Sequence, residues 1–183
     1  MTEHQQLVAL LAERSARRGS FVLASGKHSD FYVDARLTSM SPEGLVLIGR
    51  LGLTAIQQHF AGTQSVGGLT LGADPIAYAV ALTSALDHAP LRAFTVRKEA
   101  KAHGTGRLIE GPYQDGDKVV VIEDVITTGG SALKAIAALR NAHATILGVL
   151  ALVDREEGGR EALEAEGARV ISLATKTEIL ARI

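Results

Sequence analysis

The run Lys118-Val119-Val120-Val121-Ile122 constrains this chain more than any other stretch. Four β-branched residues follow one another with no polar residue between them. Such side chains stiffen an extended backbone and fit a pleated surface. Successive side chains of a strand point to opposite faces, so an unbroken apolar run needs cover on both sides. The run predicts an interior strand of a largely parallel sheet, with helices above and below. The flanking pattern agrees. Apolar runs at 65–69, 93–96, 146–153 and 169–173 predict further strands, and the stretches 74–82, 131–141 and 159–166 predict helices between them. Ser41-Pro42 predicts a helix start, serine as N-cap and proline at the first helical position, for a helix reaching about His59. Upstream, Leu7, Val8, Leu10, Leu11 and Ser15 predict an amphipathic helix stopped by Gly19. Runs at 21–23 and 31–33 predict two short strands around a polar loop. Alternating strands and helices define the α/β class. No repeat or linker divides the 183 residues, so a single domain is expected.

Composition removes several function classes. Hydrophobic residues are 46% and charged residues 21%, the proportions of a globular chain. The absence of cysteine excludes a disulfide framework, a thiol nucleophile and a Cys-ligated zinc site. A formal charge of −1 argues against a general nucleic-acid or membrane-surface binder, so any anion must be met by a local cluster. No apolar run approaches the ~18 residues of a spanning helix. The first residues lack the pattern of a secretory signal, and a cytoplasmic location is expected.

The candidate chemistry lies where the β-branched strand ends. Glu123-Asp124-Val125-Ile126-Thr127-Thr128-Gly129-Gly130-Ser131 places two carboxylates and then a donor-rich glycine turn before a helix. In open α/β sheets, ligands bind at this carboxyl edge. Glycines let the backbone approach an anion, and the first helical turn offers unpaired N–H groups. The acids suit vicinal hydroxyls or a Mg²⁺ shell, and the loop suits a phosphate one step away. Together they describe a ribose 5-phosphate. A P-loop needs G-x-x-x-x-G-K-[ST], which the chain lacks. A dinucleotide fold needs G-x-G-x-x-G, which Gly104-Thr105-Gly106 does not complete. A second cluster falls in the long connection between Val96 and Lys118. Arg97, Lys98, Lys101, His103 and Arg107 crowd it beside glycines, as expected of a lid over a polyanion; the alternative is a solvated surface loop.

These motifs resemble a known family. Glu123 to Leu133 resembles the phosphoribosyl diphosphate (PRPP) motif of type I phosphoribosyltransferases. Arg97-Lys98-Glu99-Ala100-Lys101-Ala102-His103-Gly104 resembles the catalytic loop of the orotate phosphoribosyltransferases. Ser25-Gly26-Lys27-His28-Ser29-Asp30-Phe31-Tyr32-Val33-Asp34 resembles their N-terminal substrate segment, and Val153-Asp154-Arg155-Glu156-Glu157-Gly158-Gly159 their late Asp-Arg turn. The resemblance implies a type I phosphoribosyltransferase fold: a central, mostly parallel sheet flanked by helices. It also implies a small hood, built from residues 1–40 and part of 155–183. The implied reaction joins orotate to PRPP, giving orotidine 5′-phosphate and diphosphate in pyrimidine synthesis. Mg²⁺ is the implied cofactor, held by PRPP and water, with Asp124 reaching it at most through water. Lys101, His103 and Asp124 are the implied catalytic residues. PRPP would be bound by Arg97, Lys98, Lys101, His103, Glu123, Asp124, Val125, Ile126, Thr127, Thr128, Gly129, Gly130 and Ser131. Orotate would be bound by Thr127, Arg155, Lys27, Phe31 and Tyr32. A homodimer sharing the lid across its interface is implied, with neither nucleic acid nor membrane as partner. Two positions depart from the family. Ala24 stands where some members carry lysine, and Leu71-Gly72-Ala73-Asp74 has none of the lysine some carry in the diphosphate loop. An unusual or cis peptide bond is expected near Gly72-Ala73. A purine phosphoribosyltransferase and a PRPP-sensing regulator are the rival readings.

Overall fold

The computed structural model of the chain describes residues 1–22, 28–99 and 108–183. The N-terminal segment forms helix α1 (Glu3–Leu10), one wider turn over Leu11–Ser15, strands β1 (Ala16–Val22) and β2 (His28–Val33), and a short α2 (Arg36–Ser39). Then follow α3 (Pro42–His59), β3 (Ser65–Leu69), α4 (Ala73–Leu86), β4 (Arg92–Val96) and β5 (Ile109–Glu110). The rest is β6 (Lys118–Ile126), α5 (Gly130–Asn141), β7 (Thr145–Asp154), α6 (Gly159–Ala165), β8 (Val170–Thr175) and α7 (Lys176–Leu180).

Six strands make one sheet in the order β5-β4-β3-β6-β7-β8, parallel except for the β4–β5 pair. The β-branched run sits at its centre, as expected. Its side chains alternate between two cores. Val120 and Ile122 pack with Ile48 and Ile56 of α3 and with Ile76 and Val80 of α4. Val119 and Val121 pack with Ala135, Ile136 and Leu139 of α5 and with Leu163 of α6. Each Val, Leu or Ile side chain so buried contributes roughly 1.5–3 kcal/mol relative to exposure. The predicted cap of α3 is present: the Gly44 N–H donates to Ser41 Oγ at 3.1 Å.

Among the boundaries that differ from the sequence expectation, two bear on the site. The opening helix gives way to β1 at Ala16 rather than reaching Gly19, because Ala16, Arg17 and Arg18 pair with Val33, Tyr32 and Phe31. Strand β6 runs past Ile122 to Ile126, because Glu123, Val125 and Ile126 stay in register with Ala151, Val153 and Asp154 of β7. The acids therefore lie within a paired strand, not beyond its end.

The β1–β2 hairpin is tied to the C-terminal helix. Arg18 Nη2 donates to the Leu180 carbonyl at 2.9 Å, and Leu7, Leu11, Phe31 and Ile179 join the core that contains Val120. Among the described residues, no helix is long and apolar enough to cross a membrane.

Candidate active site

The strand order reverses between β3 and β6. From β3 the chain moves outward to β4, and from β6 it moves the other way to β7 and β8. The loops leaving these two neighbouring strands diverge, and a crevice opens at their carboxyl ends. The turn after β3 and the acids of β6 meet there. They meet closely, since a Cβ on Gly72 would collide with the Asp124 carboxylate. A cis peptide bond lies at Thr70–Leu71 in the same turn, two residues ahead of its expected place. Asp74 fastens the turn from below. Its carboxylate accepts from Thr70 Oγ1 at 2.7 Å and from Thr95 Oγ1 at 2.8 Å.

A cavity of about 340 Å³ opens at this crevice. Tyr32 to Arg36 form one wall, and Leu69 to Gly72 another. Glu123, Asp124, Val125, Thr127 and Ser131 form the floor, with Lys98 and Arg155 at the sides. A smaller cleft of about 220 Å³ adjoins it, lined by Thr127 to Ser131 and by Lys134. The two cavities share Glu123, Val125, Thr127 and Ser131. Gly129 has φ +81°, a left-handed conformation that glycine adopts without strain, and it turns the chain into α5. The first turn of that helix leaves N–H groups without intrahelical acceptors, facing the smaller cleft.

The acidic pair is electrically asymmetric. Glu123 is only 6% exposed. Burial, reinforced by the neighbouring Asp124 carboxyl, pushes its pKa up to about 9. At neutral pH Glu123 is therefore a neutral acid in the ligand-free chain.

Most expected residues assemble around these cavities, and several do not. Glu123, Asp124, Val125, Thr127, Thr128, Gly129, Gly130, Ser131, Lys98, Tyr32 and Arg155 all line them. Ile126 does not, because its side chain is buried against α5 and its carbonyl accepts the Arg155 N–H. Phe31 does not present its ring either. The ring is fully buried, with the Arg155 guanidinium 5.7 Å from its centroid, and its carbonyl accepts from Arg155 Nη2 at 3.1 Å. Arg155 also pairs with Glu157 at 2.7 Å. Arg97 turns outward to Glu110, 3.7 Å away. Lys27, Lys101 and His103 lie outside the described residues. Arg36, Thr70 and Lys134 line the cavities without having been expected there, whereas Asp34 and Leu71 fall inside the expected substrate segment and diphosphate loop. Of the three, only Lys134 carried a local signal, being one helical turn beyond Gly130.

A parallel sheet whose crevice opens at the reversal point, over paired acids and a glycine turn, defines the class of the phosphoribosyltransferases. Residues 68–174 match the phosphoribosyl transferase domain family. The chain is 46% identical to the orotate phosphoribosyltransferase of Aquifex aeolicus, over 98% of this chain and 99% of that one. It superimposes on Mycobacterium tuberculosis orotate phosphoribosyltransferase complexed with Fe(III) dicitrate with a TM-score of 0.84 at 41% identity, covering 97% and 99% of the two chains. A crystal structure described as that enzyme in complex with PRPP gives 0.80 at 37%, covering 97% and 99%. The chain belongs to the orotate phosphoribosyltransferase family, and it is an enzyme of that kind.

Proposed function

We propose that the chain transfers a phosphoribosyl group from PRPP to orotate in a Mg²⁺-dependent step of pyrimidine (UMP) biosynthesis, releasing orotidine 5′-phosphate and diphosphate. One observation carries the reading: the acids and glycine turn of β6 share two adjoining cavities, with Arg155 at the side. The similar M. tuberculosis enzyme described with PRPP supports it.

In this reading Thr127 to Ser131 and the start of α5 wrap the 5′-phosphate in the smaller cleft. Asp124 accepts from the ribose hydroxyls, with Glu123 beside it. Arg155 takes the orotate carboxylate through its planar fork, next to Thr127 and Tyr32. Phe31 acts from beneath, through the carbonyl that holds Arg155. Lys27 completes the pocket. Breaking the bond from C1 to diphosphate leaves positive charge on the ribose and negative charge on the leaving group. The orotate ring nitrogen gives up its proton as it forms the new bond to C1, which balances the proton taken up by the diphosphate, so no protein nucleophile is needed. Lys98, Arg97, Lys101 and His103 stabilise the leaving charge, and Lys101 or His103 donates a proton to it. The outward course of Arg97 suits a lid that serves the partner subunit of a homodimer. Exposed Val46, Tyr78, Leu82 and Leu86 on α3 and α4 support that dimer. The hard oxygens of the acidic pair fit Mg²⁺ brought by PRPP, with Asp124 reaching it through water. When bound, the ion neutralises diphosphate charge. The chain acts as one domain, its hood formed by residues 1–40 and part of 155–183, in the cytoplasm.

The test is the absorbance change on mixing orotate, PRPP and Mg²⁺ with the enzyme. Turnover is expected. Turnover with a purine base instead, or PRPP binding without turnover of any base, would overturn the assignment.

A further inference from the structure

The turn from Leu69 to Asp74 contains no cationic side chain, although it forms a wall of the cavity that must receive a polyanion. Backbone N–H groups at the start of α4 supply donors there, but no full charge. Lys98 and Arg155 line the same cavity, and a third cation comes from the hood. Arg36 lines the main cavity, and with Leu71 it also lines an adjoining cleft.

Its guanidinium is already half committed. Nε donates to Asp34 Oδ1 at 2.8 Å and Nη2 to Oδ2 at 2.9 Å, and the Arg36 backbone N–H also reaches Oδ1, at 3.2 Å. The Asp34 side chain is the more covered of the two, 21% exposed against 48% for Arg36. The carboxylate is thus built into the wall and the guanidinium projects from it. An arginine carries five N–H donors. Asp34 occupies two, and the remaining three, on Nη1 and the outer side of Nη2, meet no acceptor among the described residues. These three form a second planar edge of the geometry that binds two phosphate oxygens. Asp34 fixes the ring of donors before any ligand arrives, which lowers the ordering cost of binding. Asp124 adds a weaker pull on the same charge, so the guanidinium lies within reach of the cavity floor.

We propose that Arg36 is a binding residue for the diphosphate group of the phosphoribosyl donor, presented by Asp34 and engaging phosphate oxygens through Nη1 and the outer N–H of Nη2. The inference rests on the functional reading above and adds a residue to it. Asp124 marks the ribose, Arg155 lies at the Phe31 side, and Arg36 lies at the Leu71 side, where the group leaving C1 would gain charge. A cation there favours the departing diphosphate over the bound ester.

The experiment titrates inorganic diphosphate, with and without Mg²⁺, into the full chain and into Arg36→Ala, Arg36→Lys and Asp34→Asn, alongside steady-state kinetics. Arg36→Ala is expected to weaken diphosphate binding and raise the KM for PRPP about tenfold or more, as for a lost hydrogen bond to a charged group. The KM for orotate should stay within about twofold, and the melting temperature should hold, since an exposed ion pair stabilises little. Arg36→Lys should fall between, because a point charge lacks the second edge. Asp34→Asn should raise the KM for PRPP by a smaller factor. Unchanged diphosphate affinity in Arg36→Ala and Arg36→Lys would overturn the proposal. So would no measurable diphosphate binding by the parent chain, or a rise confined to the orotate KM. A parent chain that binds diphosphate but does not convert orotate strikes the functional reading instead, and the titration still decides Arg36.

Discussion

The floor of the cavity and its walls are built in different ways. Floor residues 123–131 come from one continuous strand, turn and helix. The walls come from β2 and α2, from the turn after β3, from Lys98 and from Arg155 at the end of β7. The floor is held by backbone pairing to β7 and by two cores. The walls are held by side-chain bonds that cross long stretches of sequence, such as Arg155 to the Phe31 carbonyl. A rigid floor under separately anchored walls means that displacing the floor should affect every ligand, while stripping one side chain should affect only the ligand it meets.

The place where the two meet gives the sharpest test. Gly72→Ala pushes a methyl group into the Asp124 carboxylate. A misplacement of that order should cost about 100-fold in kcat/KM. Steady-state kinetics with a thermal melt will show whether activity falls much further than stability. Asp124→Asn removes the charge of the floor. Calorimetry should find PRPP weakened about tenfold or more and orotate little changed; the reverse order would dissolve the contrast. Arg155→Ala strips one wall, and the KM for orotate should rise about tenfold with the KM for PRPP nearly constant. Asp74→Ala releases the hydroxyls of Thr70 and Thr95 that fasten the β3 turn. A few-fold rise in the PRPP KM is expected, again by kinetics.

The last test concerns the buried acid, and it is read in stability rather than in activity. The Glu123 pKa, about 9, lies above that of the same group in the unfolded chain, near the ordinary carboxylate value. Between those values the folded state holds a proton that the unfolded state has lost. The contribution of Glu123 to stability is therefore fully present below the unfolded pKa and declines as pH rises through about 9. Glu123→Gln should flatten this decline, and melts at pH 5 and pH 8 will measure it. An unchanged slope would show that Glu123 is ionised in the folded enzyme.

Much of the fold was legible in the chain, because its signals are short-range. Val119 to Ile122 demanded cover on both faces and received it from α3, α4, α5 and α6. Ser41-Pro42 announced α3, and the cap bond is there. Glu123 to Ser131 announced the floor, since a strand, a glycine turn and a helix N-terminus are contiguous. The walls were less legible. Arg36 lies just beyond the substrate segment that ends at Asp34 and carries no motif of its own; only the packing of the hairpin on the sheet turns it to the cavity. Phe31 looked like a contact for the base, yet it is buried beneath Arg155.

Backbone periodicity and turn chemistry act between neighbours in the chain, so the residue order was enough to specify the sheet, the helices around it and the acidic glycine loop. Which side chains face that loop, which carboxyl keeps its proton and which arginine is left with an open edge depend on burial and on partners dozens of residues away. Those quantities exist only once the chain has packed, because desolvation and long-range hydrogen bonds are properties of the assembled interior.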